Sequence, residues 1–137
     1  MSHVVKMYAI KISQLEEYVQ ETLAWERLLG FYKQENVLLK TRLSQVLDNN
    51  TEDGFVETAE YFNNHFVFFD ELVASLLQDI RQQKDMLETS GKGDHNNDKL
   101  ISKYQQKLRK EIEKFEKEAA TLKHDFNSKL SSSFHIS

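Results

Sequence analysis

The chain has 137 residues, of which 39% are apolar and 29% charged, and its formal net charge is −4. That length suits a single domain spanning 1–137, and the absence of cysteine excludes disulfides, thiolate nucleophiles and Cys-based zinc or iron–sulfur sites. The acidic balance gives no global attraction to nucleic acid, and no apolar run reaches the roughly 18 residues of a membrane span.

Nothing at the N-terminus reads as a signal peptide, so the expected location is cytoplasmic. Proline is absent and only four glycines occur, too few turn formers for a β-rich or loop-rich fold. Nine Phe, five Tyr and one Trp argue against disorder. Helix follows.

In chain order, Tyr8, Ile10 and Ile12 alternate with polar or small residues. Residues 1–12 therefore read either as an extended arm or as a two-turn extension of the first helix. Ser13-Gln14-Leu15-Glu16 has the form of a capping box. From it an apolar seam runs through Leu15, Tyr18, Trp25, Leu29, Tyr32, Leu39, Leu43 and Val46, with Thr22 and Asn36 in its two polar slots. Turn formers between Asp48 and Gly54 end this helix.

A second seam runs Phe55, Ala59, Phe62, Phe66, Phe69, Val73, Leu76, Ile80, Gln83 and Leu87, and stops at Gly91-Lys92-Gly93. Asn97 or Asp98 can cap a third helix. Its seam reads Ile101, Tyr104, Leu108, Ile112, Phe115, Ala119, Leu122, Phe126 and Leu130. The spacing thus predicts helices near 13–48, 54–90 and 98–131, each about 50 Å long at 1.5 Å per residue. Matched lengths and short connections imply an all-α, elongated, up-down-up antiparallel three-helix bundle with coiled-coil-like packing. In that order Glu17 or Glu21 should lie near Lys103, Lys107 or Arg109.

Helix one carries more apolar residues than one seam needs. With Leu15 as position a, Leu23, Gly30 and Val37 fall at b, and Phe31 and Leu38 at c. Gly30 in mid-helix costs roughly 1 kcal/mol relative to Ala, understandable if another backbone approaches there. On helix two, Val67 and Phe68 fall at the same back positions. Leu23, Gly30, Phe31, Val37, Leu38, Val67 and Phe68 are therefore the expected protein interface, with a homodimer as the first partner and a helical protein as the second. Asn36, at an a position, is either a buried register-setting amide or an edge residue bonded to water or Glu35.

Catalytic and metal chemistry finds little support. Glu-x-x-His and His-Glu-x-x-His are absent. His65, Glu35, Asn36 and His124 share a height but sit at flanking or exposed positions. Gly91-Lys92-Gly93 lacks the strand-before, helix-after context of a phosphate loop, and no Gly-x-Ser-x-Gly elbow occurs. No catalytic, cofactor-binding or metal residue is assigned, and no cofactor is expected. Three helices of this length with Trp25 midway along the first resemble spectrin-type repeats and bacterial export-chaperone bundles in architecture alone, and no function follows from that.

The expected function is a non-enzymatic interaction or scaffold protein that self-associates through helices one and two. A chaperone-like or adaptor bundle binding an amphipathic partner segment is the alternative, with an enzymatic or metal-binding bundle third.

Overall fold

The computed structural model of the chain describes residues 10–49 and 54–134, with side chains up to 131. It contains three helices: α1 (Ile12–Asn49), α2 (Phe55–Gly91) and α3 (Asp98–Phe134). No strand occurs among the described residues. The chain is an all-α three-helix bundle, with helix limits within three residues of those read from spacing. Residues 1–9 of the expected arm lie outside the described residues.

Helix ends follow local chemistry. Ile10 is buried and its N–H donates to Asp98 Oδ2 at 2.8 Å, which fixes the chain just upstream of α1. The helix then starts at once: Leu15 N–H donates to Lys11 O at 2.9 Å. Ser13 falls inside the first turn instead of capping it, correcting the capping-box expectation. At the end of α2, Asp94 N–H donates to Thr89 O and Gly93 N–H to Ser90 O, the paired bonds of a Schellman motif. Gly93 takes the left-handed position with φ 101°, where a side chain would be strained.

Packing divides the chain into two compact units, Met1–Gly30 with Ala74–Ile112 and Phe31–Val73 with Glu113–Ser137. In the first unit, Ile10, Tyr18, Leu87 and Ile101 form an apolar cluster. Beside it lies a polar layer. Gln83 Nε2 donates to Ile101 O at 2.9 Å and to Gln105 Oε1 at 2.8 Å. Gln105 Nε2 donates to Glu21 Oε1 at 2.9 Å, and Arg109 closes on the same carboxylate at 2.8 and 2.7 Å. The acidic start of α1 thus meets the basic start of α3, as up-down-up order requires.

Gln105 corrects the third seam. Buried positions of α3 step regularly through Asp98, Ile101, Gln105, Leu108, Ile112 and Phe115. Tyr104, expected in that seam, is 38% exposed. The regular alternation of three and four outranks the larger apolar side chain, because the buried amide finds partners on both neighbouring helices.

In the second unit, Leu43, Val46, Phe55, Phe62, Phe66, Phe126 and Leu130 form the core. Phe126 packs edge-on against Phe62 and Phe66, with ring centroids 5.2 and 5.1 Å apart. Asn36 is buried, and its Nδ2 donates to Phe66 O at 2.8 Å and Asp70 Oδ1 at 2.7 Å. Lys40 binds the other oxygen of Asp70. Asn36 thus bonds from α1 to α2 and not to Glu35. On the opposite flank, Lys123 of α3 pairs with Glu35 at 2.7 Å.

Candidate functional site

The exposed large apolar side chains concentrate in the second unit. Phe31, Val37, Leu38, Val67 and Phe68 are between 42% and 69% exposed. Leu23 and Gly30 belong to the first unit and are half-buried. A Cβ built on Gly30 would meet nothing within 4 Å, so among the described residues no backbone other than that of its own helix approaches it.

Residues three or four apart share a helix face, and the ion pairs show which way each face turns. Val37 lies three residues before Lys40 and Val67 three before Asp70, so both flank the α1–α2 seam. Phe31 and Leu38 lie four before and three after Glu35, on the flank of α1 that faces α3. Phe68 lines a groove between α2 and α3. The single continuous surface expected from the sequence is therefore three neighbouring patches, because b and c positions fall on opposite shoulders of a helix.

That groove is an open feature of the second unit, about 640 Å³ in volume. Phe69 and Leu122 contribute to its apolar lining, with Tyr61, His65 and Phe68 from α2. Tyr61 and His65 meet with ring centroids 4.4 Å apart. Lys117, Glu118 and Asp125 of α3 add charge. Sequence reasoning missed Tyr61, although it precedes Phe68 by seven residues and repeats its position.

Among the described residues no group of three or more His, Cys, Asp or Glu is placed to hold a metal ion. Glu35 takes Lys123, Asn36 takes Asp70, and His65 rests on Tyr61, so the height-matched set around His124 does not converge. Ser90, His95 and Asp98 supply the residue types of a nucleophilic triad without its wiring. The Ser90 hydroxyl donates to Asp98 Oδ1 at 2.7 Å, and His95 Nδ1 contacts both Asp98 and Ser90. A general base needs one nitrogen for the acid and the other for the nucleophile. Here one nitrogen serves both, and the Ser90 proton points at the carboxylate.

Two carboxylates link the helices to pH. Burial alone would raise the Glu21 carboxyl, but hydrogen bonds from Arg109 and Gln105 outweigh it and hold Glu21 below its ordinary 4.5. Burial likewise opposes the bonds from Lys40 and Asn36 that hold Asp70 below 3.8. A depressed carboxyl stabilises the fold above its unfolded value, and that stability is lost as pH falls through the folded value. Glu21→Gln and Asp70→Asn should each be less stable than wild type at neutral pH yet lose less on acidification below about pH 4.5. Urea midpoints followed by circular dichroism along a pH series test this, and equal acid losses in variants and wild type would refute it.

No protein-family model, curated protein or solved structure matches this chain.

Proposed function

We propose that the chain is a non-enzymatic helical interaction protein that associates with itself through the exposed apolar side chains of its second unit. The observation that carries this reading is the concentration there of Phe31, Val37, Leu38, Val67 and Phe68 in a unit whose core is already closed by other residues. Neighbouring exposed apolar patches of this kind characterise interfaces, and burying one such side chain contributes roughly 1.5–3 kcal/mol. Several per protomer suffice for micromolar association against the entropy of docking.

Sedimentation velocity across a concentration series tests the reading. The wild type should associate, and Phe31→Glu combined with Phe68→Glu should dissociate it while helix content stays high. A wild type that remains monomeric at high micromolar concentration defeats the proposal. Unfolding of the double variant would instead place these side chains in the intrachain core.

A further inference from the structure

We propose that the α2–α3 groove of the second unit seats a second copy of the chain, in a two-fold dimer whose α3 helices pair antiparallel about Thr121. The inference rests on the self-association reading above and names the surface and its symmetry.

The charges around the groove carry the argument. Antiparallel pairing about Thr121 sets residues equally far before and after it opposite each other. Lys117 then faces the partner's Asp125, Glu118 faces the partner's His124, and Lys114 faces the partner's Ser128. All six side chains are exposed, and no like charges meet. Each contact occurs twice by symmetry. A parallel pairing would set Lys117 against Lys117 and Asp125 against Asp125. The rim is therefore self-complementary in one direction only, as a two-fold interface needs.

The groove's apolar content agrees. Thr121 and Phe68 both line it, and an axis crossing α2 near Phe68 and α3 near Thr121 sets the two Phe68 rings together. Phe68 is 54% and Tyr61 56% exposed in the single chain. Aromatic side chains of this size dominate interface energetics. The Thr121 hydroxyl is already bonded to Lys117 O of its own helix, so this small residue presents no unmet donor at the axis. The product is a four-helix arrangement in which the α2–α3 pair of one copy faces that of the other.

Charge exchange tests the pairing. Lys117→Asp and Asp125→Lys should each raise the dimer Kd about tenfold, since each puts two repulsions where two attractions stood. The double variant should return to within about threefold of wild type. An equimolar mixture of the two single variants should form mixed dimers at near wild-type affinity, because every cross-chain pair is again opposite in sign. Thr121→Cys, the only cysteine in that chain, should give a disulfide-linked dimer on mild oxidation. Dimers indifferent to the exchanges, a mixture no tighter than its components, or no cross-link would overturn this pairing and leave self-association standing. A monomeric wild type would overturn both.

Discussion

Phe126→Ala should destabilise the protein by about 3–5 kcal/mol, the usual cost of emptying a buried aromatic site. Phe126 is 1% exposed and is the α3 member of an aromatic cluster whose other rings, Phe62 and Phe66, come from α2. Truncation removes two edge-on ring contacts and leaves a void lined by rings and by Leu43 and Val46 of the same core. Such walls close only in part, so the loss belongs in the upper half of that range. Domains of this size have about 5–15 kcal/mol in total, and the variant should show a much reduced urea midpoint. Phe31→Ala, at a side chain 58% exposed, is the control and should stay within about 0.5 kcal/mol at concentrations where the chain is monomeric. Comparable losses for the two would break the division between core and exposed face on which the proposed interface stands.

That division was legible in the sequence to an uneven degree. The first two seams are buried much as spacing requires: every member of the second, from Phe55 to Leu87, is buried. Helix period and turn chemistry suffice there, because the residues that the period turns inward are themselves nearly all apolar. The third seam shows the limit. Hydrophobicity favours Tyr104, but burial of Gln105 depends on Gln83 and Glu21, distant in sequence, offering hydrogen bonds at the right height. A buried glutamine is costly without partners and acceptable with them. Single-sequence periodicity cannot register partners on another helix.

The candidate surface was legible as a set of residues and not as a shape. Phe31, Leu38 and Phe68 announce themselves as apolar side chains at back positions. Which shoulder each occupies depends on the ion pairs Glu35–Lys123 and Lys40–Asp70, and those emerge only once the helices are aligned. Tyr61 was readable from its spacing to Phe68, yet its neighbours Leu122 and Thr121 reach the groove from another helix. The polar cluster at Asp98 was half visible. Asp98 stood out as a cap, but its bond to Ile10, 88 residues away in sequence, follows from no local rule.

Asp98→Ala should cost about 3 kcal/mol, because that carboxylate satisfies donors from three parts of the first unit. Its side chain has no exposure. It accepts from the Ile10 N–H and the Ser90 hydroxyl, and lies 2.9 Å from His95 Nδ1. Alanine leaves two buried donors unmet, at about 1–3 kcal/mol each, and removes an anion from the positive end of α3. Ser90→Ala deletes a donor along with its bond and should cost only about 1 kcal/mol. Asp98→Asn separates charge from shape: one oxygen remains an acceptor, while the amide nitrogen turns a donor toward donors, so most of the loss should persist. Hydrogen exchange reads the local consequence. The Ile10 amide should be protected in wild type and Ser90→Ala, and should exchange freely in Asp98→Ala. An unprotected Ile10 amide in wild type would show that the carboxylate does not hold the start of α1. Loss of protection in Ser90→Ala as well would mean that the hydroxyl, and not the carboxylate alone, sets the geometry of this end of the first unit.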